Sequence, residues 1–178
     1  MYSATYVFRL AKPKSTAIVK VWHAPPALRV DVISGTTTAS LFITKTATYS
    51  CGVKPRHRQC FRVAAPGQPI PAPFNVGPAS LFSSDLQAFS RNGSTYTVTA
   101  ASNTPGSNKV LATNCFAVQP GPSTPSPAVQ AGTYCFADNG ALGAVTYPSG
   151  NTAVLSAISF SVLPANLKPY AKPQPLPS

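Results

Sequence analysis

The chain has 178 residues, including 20 prolines and four cysteines, and carries a formal charge of +11 from 14 lysines and arginines against three acids. Those acids are Asp31, Asp85 and Asp138, and there is no glutamate, so little carboxylate is left for acid–base catalysis or for carboxylate and magnesium sites. The composition points away from an enzyme and implies no cofactor. Its hydrophobic share of 44% excludes a disordered chain, and runs such as Leu41-Phe42-Ile43 are far too short to span a bilayer.

Met1-Tyr2-Ser3 runs directly into Thr5 to Leu10, which reads as a strand, with no signal segment before it. Thr16 to His23 is rich in β-branched residues, and Ala24-Pro25-Pro26 ends it because proline cannot donate to a ladder. Leu28, Val30 and Val32 alternate with Arg29 and Asp31, the period-two pattern of a sheet with one wet face. Ser34-Gly35 marks a turn, Thr36 to Tyr49 a further strand run, and Val63 closes this block. Pro66 to Pro78 is a surface loop. One helix is expected at about 78–91: Pro78 suits a first helical position, Phe82, Leu86 and Phe89 share a face, and Asn92-Gly93 stops it. Asn92-Gly93-Ser94 also matches a glycosylation sequon.

Tyr96, Val98 and Ala100 alternate as another strand. Asn103 to Asn108 reads as a turn, Val110 to Val118 as a strand and Pro120 to Pro127 as a low-complexity loop. Tyr134-Cys135-Phe136 leads through the hairpin signal Asp138-Asn139-Gly140 to Ala141–Tyr147. After Pro148-Ser149-Gly150-Asn151, Val154, Ser156, Ile158, Phe160 and Val162 share one face of a closing strand. The proline-rich tail 164–178 reads as extended and partly disordered, leaving one domain at 1–163.

Cys51, Cys60, Cys115 and Cys135 form an even set without a CxxC pair, which favours disulfides and an exported setting. Cys51–Cys60 spans a hairpin and Cys115–Cys135 joins neighbouring strands, with stabilisations of about 2.7 and about 3.3 kcal/mol in the loop-entropy model. Zinc held by Cys51, His57 and Cys60 is the rival, but its usual C-x2–4-C spacing is missing. Lys54, Arg56, His57, Arg58 and Arg62 gather around the first pair. They form a candidate anionic-partner patch, against which stands the plain reading of solvated charge. No recognition helix or RNA-type aromatic motif accompanies them, so nucleic acid is not an expected partner.

One helix cannot cover a sheet of eight or more strands, which leaves a second sheet or a hollow. Phe8, Trp22, Phe42, Phe82, Phe89, Phe136 and Phe160 are either ordinary core or the lining of that hollow.

Three segments together resemble the lipoprotein-carrier (LolA-like) superfamily: Trp22 to Asp31, Gly132 to Phe136 with its following glycine turn, and Ile158 to Val162 running into Leu163-Pro164. The resemblance implies a mainly β fold, a large curved antiparallel sheet forming an incomplete half-barrel, with the helix on its concave face over an apolar cavity. Unlike that family, this chain opens on a strand rather than a helix. The resemblance also implies an exported bacterial envelope protein, periplasmic or surface-anchored. It would bind a lipid or the acyl chain of a lipoprotein, as a monomer, with a membrane surface as a further partner. Trp22, Leu28, Val30, Leu41, Phe82, Leu86, Phe89 and Phe160 are the expected cavity residues, their apolar faces lining one surface. The alternative is a non-catalytic structural or sensory module with a self-filled barrel and a basic patch.

Overall fold

Short β-branched runs punctuated by proline, glycine and asparagine turns cannot build long helices, and the chain folds accordingly. The computed structural model describes residues 1–54, 57–71, 74, 96–102, 114–121, 130–138 and 141–176, and only the backbone of Lys54 and His57. Among the described residues there are eleven strands: β1 (Tyr2–Leu10), β2 (Ser15–Ala24), β3 (Ala27–Ser34), β4 (Thr37–Ile43), β5 (Thr48–Lys54), β6 (His57–Ala64), β7 (Tyr96–Ala101), β8 (Asn114–Pro120), β9 (Gly132–Phe136), β10 (Leu142–Thr146) and β11 (Thr152–Ser159). They form one antiparallel sheet in the order β6-β5-β4-β3-β2-β1-β11-β10-β9-β8-β7. Its end strands are β6 and β7, so it is an open sheet and not a closed barrel. The expected mainly β, large antiparallel fold is the one observed. The helix expected at 78–91, the sequon at Asn92, the turn at 103–108, the loop core at 122–127 and the Asn139-Gly140 turn lie outside the described residues.

Three local readings change. The run from Thr36 to Tyr49 is two strands, because Thr44 makes a turn: its hydroxyl donates to the Ala47 carbonyl and accepts from the Thr46 and Ala47 amides. Threonine serves strands and turns equally well, so composition alone hid the break. In β11, Ala153 and Leu155 are the buried residues, on the face opposite Val154 and Ser156. The strand also ends at Ser159, leaving Phe160 beyond it. The proline-rich tail packs as well. After the 3-10 turn Pro164–Leu167 it runs on to Gln174, which forms a parallel bridge with Phe61 of β6.

The chain divides into two compact units, one of residues 1–5, 17–83 and 157–178, the other of 6–16 and 84–156. The first unit contains the tail, and its strands β2 to β6 pair in consecutive hairpins. Gly35, at φ +56°, occupies a backbone region that other residues enter only with strain, and so forms the tight β3–β4 turn where Ser34 opposes Thr37.

In the second unit the Cys115–Cys135 disulfide packs with Ala144, Ala101 and Val154. Tyr6 is fully buried and donates its hydroxyl to the Leu142 carbonyl. Tyr134 donates to the Gln130 carbonyl at 2.8 Å, and its ring meets Tyr147 edge-on. Burial pushes the Tyr134 phenol up to about 12 and raises Tyr147 as well, because neither ring can easily carry a charge there. Gly132 makes this packing possible, since a Cβ at that position would lie 2.8 Å from the Thr146 carbonyl oxygen and 3.4 Å from the Tyr134 ring.

Gly132→Ala is therefore expected to lower unfolding stability by about 1–3 kcal/mol through overpacking. Gly52→Ala, whose new Cβ would meet nothing within 4 Å, should stay within about 0.5 kcal/mol. Urea midpoints of the two variants test this, and equal losses would refute the close-approach account.

Candidate functional site

Cross-strand partners share a face and successive residues alternate, so the register assigns each side chain of the first unit. One face carries Val21, Val30 and Leu41 in a single cross-strand row, with Val19 and Leu28 in the flanking rows. All five are buried, with Val30 at 0% and Leu41 at 1% exposure. This apolar stripe contains three of the expected cavity residues, Leu28, Val30 and Leu41.

Trp22 does not join them. It pairs with Arg29 and so stands on the opposite face, where the indole lies 4.5 Å from the guanidinium carbon. The apolar residues Ile18, Val19, Val21 and Trp22 are interrupted only by Lys20, and period two must send them to both faces. Phe160, beyond the end of β11, is 64% exposed. Phe82, Leu86 and Phe89 lie outside the described residues.

The second face is polar at its centre. Arg29 donates from Nε and a terminal nitrogen to the two oxygens of Asp31, at 2.8 and 2.6 Å, and from its other terminal nitrogen to the Asn166 carbonyl. Two positions apart on one strand, these side chains share a face by construction. The guanidinium also lies 5.0 Å from Phe42 and 5.8 Å from Tyr170, within cation–π range. Phe42, Cys51 and Cys60 form a buried cluster against which Tyr49, Tyr170 and Ala171 pack. Cys51 and Cys60 are directly opposed across β5–β6 and disulfide-bonded, so both expected pairs form and Cys51 and Cys60 are bonded to each other rather than to zinc.

Tyr170 explains how the tail docks. Its ring meets Phe42 edge-on at 5.8 Å, and its hydroxyl donates to Ser40 Oγ. Beyond it, Gln174 accepts from the Arg62 amide and donates to the Cys60 carbonyl, which covers part of the β6 edge. Sequence reading missed this strap. The available signal was one tyrosine within a run of prolines and lysines, where a purely solvated linker has no need of an aromatic ring.

The basic patch is only partly described. Arg58 and Arg62 are exposed on β6 and, by register with Val53 and Tyr49, belong to the polar face. Arg56 and the side chains of Lys54 and His57 lie outside the described residues. Among the described residues, Arg29–Asp31 is the one ion pair. Comparison with protein-family models and with curated proteins finds no match to this chain.

Arg29→Ala should destabilise by about 3–5 kcal/mol, because it strands a buried carboxylate, whereas Arg62→Ala should change stability by less than about 0.5 kcal/mol. Trp22, the sole tryptophan, reports the loss of the guanidinium directly, so Arg29→Ala should also shift its emission. Equal effects from both variants would contradict a central role for this pair.

His23, on the apolar-stripe face and in edge contact with Tyr2, is lowered from its ordinary value by burial and by the nearby Met1 ammonium. A depressed folded-state value means that the unfolded chain binds the proton first. Its contribution to stability is therefore complete above about pH 6.5 and is lost on acidification below it. The fall in melting temperature between pH 7 and pH 5 should be smaller in His23→Gln than in the parent, and an unchanged fall would refute this.

Proposed function

We propose that the chain is a non-catalytic, exported module that binds an acyl chain against the apolar face of its sheet. The observation that carries this reading is the stripe of Val19, Val21, Leu28, Val30 and Leu41, which is continuous across three strands and bordered by His23 opposite Leu28. An open antiparallel sheet with such a face needs something apolar laid on it. Each methylene buried there contributes about 0.8 kcal/mol, so one long chain supplies on the order of 10 kcal/mol gross. Micromolar binding requires about 8 kcal/mol, so affinity needs no specific polar chemistry, only modest ordering costs. The two disulfides fit an oxidising, exported environment. The resemblance of Trp22 to Asp31 and of Gly132 to Phe136 to lipoprotein carriers supports a lipid or acylated lipoprotein as the ligand, in a bacterial envelope.

A second reading has its own support. Val30 and Leu41 are already covered by the chain, at 0% and 1% exposure. That favours a self-filled structural or sensory module.

Organic extraction with mass spectrometry, and titration with a fluorescent fatty acid, separate the two. The acyl reading expects a co-purifying chain or micromolar uptake. Leu41→Trp, which keeps the site apolar but fills it, should block uptake with both disulfides intact, and Leu41→Asp should abolish it by placing an unpaired carboxylate there. Absence of both extractable lipid and probe uptake in the parent protein would leave the self-filled module as the answer.

A further inference from the structure

On the polar face, opposite the proposed acyl site, an open groove of about 570 Å³ runs between the 44–47 turn and the docked tail. Its walls are Thr46 and Tyr49 on one side and Lys168, Pro169, Tyr170 and Lys172 on the other. Docking of Tyr170 on Phe42 holds the tail wall in place. Both lysines are exposed and make no ion pair with a described residue. Across the β5–β6 pair Arg62 stands beside Tyr49, and Lys45 lies within the turn.

Nothing in the unit's own acid content offsets these charges. Residues 1–5, 17–83 and 157–178 contain nine lysines and arginines and a single aspartate, Asp31. That aspartate is 4% exposed and has both oxygens engaged by Arg29. The groove therefore keeps an uncompensated positive potential. The hydroxyls divide by role, since Thr44 is used up in its turn, while Tyr49 bonds to no described residue. The proline and tyrosine faces supply an apolar floor beside the cations.

We propose that this groove binds a phosphate-type oxyanion bearing a short apolar flank, with Lys168 and Lys172 on the oxyanion and Tyr170, Pro169 and Pro173 on the flank. The groove is larger than a lone inorganic anion needs, and the juxtaposition of ammonium groups with tyrosine and proline rings suits an amphiphile. The site goes beyond the acyl-chain reading and stands without it, being built from the other face and from the tail.

The test is titration of the full chain at low ionic strength, where exposed charges are least screened. The probes are dihexanoyl phosphatidylglycerol below its micelle concentration, inorganic phosphate, and dihexanoyl phosphatidylcholine as a zwitterionic control. The phosphatidylglycerol should bind more tightly than the other two. Lys168→Gln/Lys172→Gln should weaken it by roughly tenfold, whereas Lys12→Gln/Lys14→Gln, an equal charge loss on the exposed β1–β2 turn, should leave it within about twofold. Fatty-acid uptake should be unchanged in both variants. Equal losses in the two variants would show a response to net charge alone and overturn the groove. Inorganic phosphate binding as tightly as the lipid would overturn the apolar flank and assign the site to free phosphate. No binding of either anion at about 1 mM would overturn the proposal entirely.

Discussion

One ion pair organises the polar face of the first unit. Arg29 and Asp31 occupy alternate positions of β3, so the strand itself presents them side by side. Burying either alone would be strongly unfavourable, and the unit has no second carboxylate side chain to offer. Once paired, the guanidinium is a flat, weakly hydrated surface against which rings can pack. Trp22 comes from β2, Phe42 from β4 and Tyr170 from the tail, so a single neutralised charge gathers three separate segments. Its remaining donor reaches the Asn166 carbonyl, which ties the 3-10 turn to the same point.

The tail's docking has two consequences. It converts a linker-like composition into a strap that closes the disulfide cluster of Phe42, Cys51 and Cys60. It also gives part of the β6 edge a main-chain partner at Gln174, and an unpaired edge strand invites association with other chains. Proline suits this role, because an extended segment already restricted in φ loses less entropy when it is laid down. The same strap builds one wall of the basic groove, so edge protection and the groove share a cause.

The two faces of β2 to β4 therefore serve opposite chemistries. Hydrophobic burial dominates one, where Val19, Val21, Val30 and Leu41 contribute roughly 1.5–3 kcal/mol each. Electrostatics and ring packing dominate the other. Neither face contains paired carboxylates or a nucleophile with its base among the described residues.

The β character, most of the strands and both disulfides were legible in the residues themselves. Alternation, turn residues and an even set of cysteines act over a few positions, and each has only a short list of structural outcomes. Leu28 and Val30 could likewise be placed on one face from period two alone, whereas Leu41 joins them through the β3–β4 register. Trp22, the split at Thr44–Ala47, the buried face of β11 and the docking of Tyr170 could not. Each depends on which strand lies opposite, and register is a long-range property that a local pattern does not contain. The sequence alone determined that this chain is a basic, disulfide-linked β protein poor in carboxylates. The tertiary structure decided which face each aromatic joins and that the tail is a wall rather than a linker, because only folding brings residues 29, 42 and 170 around one guanidinium.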